Sequence, residues 1–258
     1  LKSMTSGILS PILILLSCIC FSVNAVNAKD DNILQIATAA NFNSTLQKIS
    51  EKYHELHPDL EIKIIPGATA NLYSQIINGA LFDLFFSADA KHVDLLVEKN
   101  FATSNSSFVY ASGRLCLLAS SSKPTGINEK TLREKNFKFL AIAKPETAPY
   151  GFAAKEVLEK LALWDELKEK LVYAQDVGGV VSFVASGNVD SGFVALSQII
   201  SWKEKSGQNF WIVPQNLYSP IDQKVVALNG SKEKEAEKFL KFVKSSAVRN
   251  LIKESGYN

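Results

Sequence analysis

Leu34-Gln35-Ile36-Ala37-Thr38-Ala39-Ala40-Asn41-Phe42, followed by Asn43-Ser44-Thr45-Leu46-Gln47-Lys48-Ile49, is the stretch whose reading decides the fold. An apolar, β-prone run stops at small residues and meets Asn41, a residue type that caps helices. The spacing then turns helical, with Phe42, Leu46 and Ile49 on one face. That pattern predicts a strand, a tight loop and a helix N-terminus. Such a junction turns unpaired backbone N–H groups and the positive end of the helix dipole toward whatever lies in front of it, an arrangement suited to an anion.

The same junction recurs down the chain. Glu61 to Ile65 alternates as a strand, passes Pro66-Gly67-Ala68-Thr69 and gives way to a helical pattern from Asn71 that stops at Asn78-Gly79. Asp83 to Ser87 reads as a buried strand leading through Ala88-Asp89 into a helix from Ala90 to Leu96. Phe139 to Ala143 leads through Pro149-Tyr150-Gly151 to a helix from Phe152 to Leu161. Leu171 to Ala174 leads through Asp176-Val177-Gly178-Gly179 to a helix from Val180 to Ala185. Further strands are expected at Arg114 to Ala119, Ser191 to Leu196, Phe210 to Val213 and from Lys224, with a last helix from Glu233 to Val243. Alternation of strands and helices predicts an α/β, doubly wound architecture, because parallel neighbours require crossover connections.

Composition narrows the function classes. In 258 residues, 28 Lys and Arg against 26 Asp and Glu leave no basic footprint for nucleic acid. Lys2, the apolar run from Ile8 to Phe21 and the small residues Val26 and Ala28 read as a secretory signal over residues 1–28, cleaved before Lys29. A membrane anchor is the alternative, although a span needs ~20 apolar residues. Leu15-Leu16-Ser17-Cys18 is similar to a lipobox, which would leave Cys18 lipidated. Loss of Cys18 and Cys20 with the leader leaves Cys116 alone, in a strand-like run that suits a buried structural thiol.

Asn41, Thr69, Tyr150 and Val177 stand at comparable points, each where a strand's carboxyl end gives way to a helix, the edge at which open α/β sheets bind ligands. None of the four loops contains Lys, Arg or His, although Lys144 and Asp176 are close by. The chemistry implied is a small, multiply charged anion held by neutral donors. Each hydrogen bond to a charged acceptor contributes ~1.5–3 kcal/mol, so several convergent donors can replace a hydration shell. The same residues also fit ordinary roles, Asn41 and Thr69 as N-caps, Tyr150 as a loop aromatic and Val177 in a tight turn. Asp83 and Asp89 could pair as acid and base, but backbone capping suits them better beside an anion. His54, His57 and His92 are expected at the surface, without metal-site spacing. Ser87 and Ser182 carry no local signature of a nucleophile.

Ala37-Thr38-Ala39-Ala40-Asn41-Phe42, Gly67-Ala68-Thr69-Ala70-Asn71-Leu72, Asp83 to Asp89, Pro149-Tyr150-Gly151 with Ala154-Lys155, and Asp176-Val177 together resemble the molybdate- and tungstate-binding periplasmic proteins, in order, from about Ile33 to Tyr257. The resemblance implies a type II periplasmic binding protein fold, two doubly wound lobes joined by two crossover strands. Lobe I would comprise residues 29–111 plus 219–258, and lobe II residues 112–218. It further implies oxyanion contacts at Asn41, Thr69, Tyr150 and Val177, made to the oxyanion's oxygens and not to the metal directly. The family commonly has Ser where this chain has Asn41, and many members have Tyr where it has Ala195; Tyr150 would then be a replacement donor from another loop. Implied too are a soluble, monomeric periplasmic receptor without a cofactor, no catalysed reaction, and the membrane permease subunits of an ABC importer as partners. A sulfate-type receptor, or an exported enzyme on the same scaffold, are the alternatives.

Overall fold

In the computed structural model, which describes residues 32–120, 126–202, 209–230 and 232–258, the opening stretch forms strand β1 (Ile33–Ala39). The leader expected over residues 1–28, with Cys18 and Cys20, falls outside the described residues. A 3-10 turn, Ala40–Phe42, joins β1 to α1 (Asn43–Leu56), and β2 (Glu61–Gly67) follows. Then come α2 (Thr69–Ile77), β3 (Leu84–Phe86), α3 (Lys91–Glu98) and β4 (Phe108–Gly113). Gly79, at φ 91°, ends α2 where Asn78-Gly79 is expected to stop it.

Lobe II begins with β5 (Leu115–Ala119), α4 (Glu129–Glu134), β6 (Leu140–Ala143) and α5 (Pro149–Lys160). It continues with α6 (Trp164–Leu167), β7 (Leu171–Ala174), α7 (Val177–Ala185), β8 (Ser191–Ala195), α8 (Leu196–Ser201) and β9 (Asn209–Ile212). The chain closes with β10 (Ile221–Ala227), α9 (Glu233–Val243) and α10 (Ser246–Glu254).

The strands sort into two five-stranded sheets, ordered β2-β1-β3-β10-β4 and β7-β6-β8-β5-β9. In the first, β1 is parallel to β2 and β3, whereas β10 runs antiparallel to both β3 and β4. In the second, β6 is parallel to β7 and β8, and β5 is antiparallel to β8 and β9. The backbone passes between sheets twice, from β4 to β5 at Arg114 and from β9 to β10. This is the type II periplasmic binding protein fold.

Each sheet has its own core. Around the first, Phe42 lies 5.6 Å from Phe86, 4.5 Å from Tyr110 and 5.5 Å from Tyr257, ring centre to ring centre. Such pairs contribute ~0.5–1.5 kcal/mol beyond their burial. Around the second, the buried set is mainly aliphatic and small, including Leu115, Leu117, Ile142, Ala153, Ala154, Val157 and Val180. Cys116 is buried in β5, and burial pushes its thiol up to about 12 against the opposing pull of Arg114, so it packs as an inert small residue.

Several details depart from the sequence reading: strand β4 and helices α4, α6 and α8 are additional elements, and α2 starts at Thr69 rather than Asn71. The helix Ser246–Glu254 follows the one expected to be last; Ser245 caps it by accepting from the Val248 N–H. Helices α5 and α7 start at Pro149 and Val177 rather than at Phe152 and Val180. Pro149 needs no N–H acceptor at a helix start, which lets α5 begin there.

Candidate functional site

The early starts of α5 and α7 put Tyr150 and Val177 in first helical turns, whose N–H groups have no acceptor within the helix. Thr69 likewise opens α2. All three, with Asn41, are buried, and all four line one cavity together with Ala40, Ala68, Ala88, Ala148 and Asp176. The cavity is about 10 Å³, on a scale where one water needs ~10–15 Å³. Any larger guest requires its walls to part, and the walls belong to different lobes. Hydrogen bonds between the lobes hold them together, among them Ala70 N–H to the Thr147 carbonyl, Ser197 Oγ to the Asn41 carbonyl and Gln223 Nε2 to Tyr150 Oη, each at 3.1 Å.

The side chains at these junctions do not cap, contrary to the ordinary reading of Asn41 and Thr69. Asn41 Nδ2 donates to Gln223 Oε1 at 2.9 Å and to Tyr257 Oη at 3.1 Å, while the Asn41 carbonyl also accepts from Tyr257 Oη at 2.9 Å. The 3-10 turn leaves Asn41 facing the sheet's edge, where these partners lie, instead of the N–H groups of α1. Thr69 Oγ1 accepts from the Ala88 N–H at 3.1 Å. With that acceptor position taken by a fixed N–H, the hydroxyl hydrogen is left for another acceptor.

Tyr150 repeats the arrangement from the other lobe, its Oη accepting from Gln223 Nε2 at 3.1 Å. Burial, reinforced by the neighbouring phenols of Tyr257 and Tyr218, pushes the Tyr150 hydroxyl well above its ordinary value, so it stays a donor. Gly113 makes room: a Cβ there would lie 2.2 Å from Tyr150 Oη. At Val177 the side chain is apolar and only the backbone can donate. Asp176 caps α7 instead, its Oδ1 accepting from the Gly179 N–H at 3.0 Å. Among the described residues, Asp176 is the one charged group in the cavity wall, and no Lys, Arg or His lines it.

The other candidates lie apart from this cavity. Asp83 Oδ2 accepts from the Gln35 N–H at 2.8 Å, and Asp89 Oδ1 from the His92 N–H at 3.0 Å, so both bind backbone. Burial pushes the Asp89 carboxyl upward, but the His92 ring and N–H, with Ser87, outweigh it and hold Asp89 below its ordinary value. His54 and His57 are exposed, as expected; His92 is half-buried, because its Nδ1 sits 2.8 Å from Asp89 Oδ2. Ser87 donates to the Asp89 carboxylate, which His92 already engages, and Ser182 to the Gly178 carbonyl, so neither hydroxyl is hydrogen-bonded to a histidine that could activate it. No cluster of His, Cys, Asp or Glu suited to a metal ion occurs among the described residues. Gln223, Tyr110 and Tyr257 escape the sequence reading. Gln223 sits between Asp222 and Lys224, ahead of the apolar part of the closing strand, so nothing local marks it out.

A family model for bacterial extracellular solute-binding proteins matches residues 34–258. The chain belongs to that family. Among its relatives, the molybdate-binding protein ModA of Azotobacter vinelandii is 38% identical over 229 residues, covering 87% of this chain and 89% of the relative. ModA of Rhodobacter capsulatus is 37% identical over 223 residues, 86% of each chain. The solved periplasmic molybdate-binding protein of Azotobacter vinelandii superposes with a TM-score of 0.82 at 37% identity, covering 87% of this chain and 98% of the other. This level of agreement extends over both sheets and the crossovers that set the cavity between them.

Proposed function

We propose that the protein is an extracytoplasmic, periplasmic receptor that captures molybdate or tungstate between its lobes and hands it to the membrane subunits of an ABC importer. It acts as a monomer and catalyses no reaction. One observation carries the reading: helix starts from both lobes converge on a single cavity, and two of them bring hydroxyls, Thr69 and Tyr150, whose acceptor positions are already taken by protein N–H groups. Each has a hydrogen to give. With the N–H groups of the first turns, they favour a fully ionised tetrahedral dianion over one that keeps a proton, such as hydrogen phosphate.

The cavity wall explains capture as well. Residues 29–111 with 219–258 supply Asn41 and Thr69, residues 112–218 supply Tyr150 and Val177, and an anion touching both favours the closed arrangement through contacts that the open one lacks. Relatives whose names specify molybdate binding support the choice of oxyanion. Calorimetric titration with molybdate, tungstate, sulfate and phosphate tests it. Tight 1:1 binding of molybdate or tungstate is the expected result; tight sulfate binding with no molybdate heat would replace the reading with a sulfate receptor.

A further inference from the structure

Gln223 lies at the middle of β10, one of the two strands by which the chain crosses between lobes, and is fully buried. Its carboxamide accepts from Asn41 Nδ2 at 2.9 Å and from Tyr110 Oη at 2.9 Å, and donates to Tyr150 Oη at 3.1 Å. Asn41 and Tyr110 belong to the first lobe and Tyr150 to the second. The pairing of β10 with β4 shifts register between Gln223 and Lys224, a local irregularity of the kind that re-aims a side chain. On the facing strand, Gly113 leaves the space open: a Cβ there would lie 2.7 Å from Gln223 Nε2.

We propose that Gln223 is a positioning residue for the oxyanion site, tying Asn41 of one lobe to Tyr150 of the other and committing the Tyr150 hydroxyl hydrogen to the ligand. The inference rests on the oxyanion reading above. A phenol has one hydrogen, and it goes to whichever acceptor is offered. Because Gln223 presents an N–H to the Tyr150 oxygen, that hydrogen is not drawn toward β10. Replacing the N–H by an oxygen reverses the bond, and the ligand then faces a lone pair. Both crossover strands thus take part in aiming the donors, Gly113 by its missing side chain and Gln223 by its amide.

The titratable groups facing Gln223 are Tyr110 from β4 and Tyr150 from α5, with Tyr257 reached through Asn41; Asp89, paired with His92, lies beyond Tyr110. Burial pushes all three phenols upward, so they stay protonated between pH 5.5 and 8. The test is calorimetry with molybdate on the wild type, Gln223→Met, Gln223→Glu and both in a Tyr150→Phe background. Gln223→Met is expected to weaken binding about tenfold, a loss that shrinks below about threefold once Tyr150 is Phe. Gln223→Glu is expected to weaken it more at pH 8 and to recover toward pH 5.5, where a protonated carboxyl can again donate to Tyr150. A loss through general damage to the fold would not recover on acidification. Wild-type affinity in Gln223→Met, or a Gln223→Glu loss that ignores both pH and Tyr150, would overturn the assignment. Absence of any molybdate heat in the wild type would overturn the oxyanion reading itself, and this role with it.

Discussion

The two lobes reach the same cavity by different means. The first relies on side chains: Thr69 offers its hydroxyl, and Asn41, whose two amide hydrogens go to Gln223 and Tyr257, is locked by them over a buried aromatic cluster and leaves its backbone N–H at the helix start. The second brings helix starts, α5 entered through Pro149 and α7 capped by Asp176, with Tyr150 as its one uncharged polar side chain in the wall. The contrast shows that a neutral anion site can be built either from side chains locked by a core or from backbone locked by a cap. It also means that substitutions on opposite walls have very different consequences.

The largest expected effect is on the side that depends on packing. Phe42→Ala, which removes a fully buried ring from the cluster beneath Asn41, is expected to cost about 3–5 kcal/mol of stability by urea unfolding. A cost near zero would show that this wall does not lean on its core. Next come the hydroxyls. Thr69→Ala and Tyr150→Phe are each expected to weaken molybdate binding by about ten- to a hundredfold in calorimetry, because each removes a hydrogen bond to a charged acceptor. Unchanged affinity in both would take them out of the site.

Asp89 shows how a junction of the first lobe can be diverted from ligand binding to capping. Its carboxyl is held below the ordinary value in the folded protein, so its contribution is present above the unfolded value of about 3.9 and is lost as pH falls through the folded one. Asp89→Asn is therefore expected to be about 1 kcal/mol less stable at neutral pH, with the gap to the wild type closing in acid. A gap that persists at low pH would mean that shape, not charge, matters there.

On the second wall, Asp176→Asn keeps a good capping residue and removes the one charge beside the anion. Molybdate affinity is expected to rise by a few-fold, and a fall would show that the carboxylate itself takes part in binding. The smallest effect belongs to Val177. Val177→Ala leaves the N–H in place and is expected to change affinity by less than about threefold, since the donor is backbone. A larger change would make its side chain part of the recognition.

The elements built on local pattern were legible in the sequence. Strand β1, its turn into α1, and the successive strand–helix junctions follow from apolar periodicity and small residues at strand ends, and the structure brings the four positions singled out there to one cavity. What stayed hidden depends on distance along the chain. Gln223 is 182 residues from Asn41 and Tyr257 is 216 residues from it, so no local spacing could announce that they share a hydrogen-bond network. The ordinary alternative for Asn41, an N-cap, fails for the same reason: its competing partners come from elsewhere. Helix α10 carried its own signal in Ser245 and the spacing of Val248, Leu251 and Ile252, but Arg249, Asn250 and Lys253 dilute it.

The most direct measurement is a crystal structure of the protein grown with molybdate, with the molybdenum located by its anomalous scattering. A single peak is expected between the lobes, its four oxygens within hydrogen-bond distance of groups from Asn41, Thr69, Tyr150 and Val177, and no Lys or Arg side chain among its neighbours. A peak at another surface, or one held by a cationic side chain, would contradict the account.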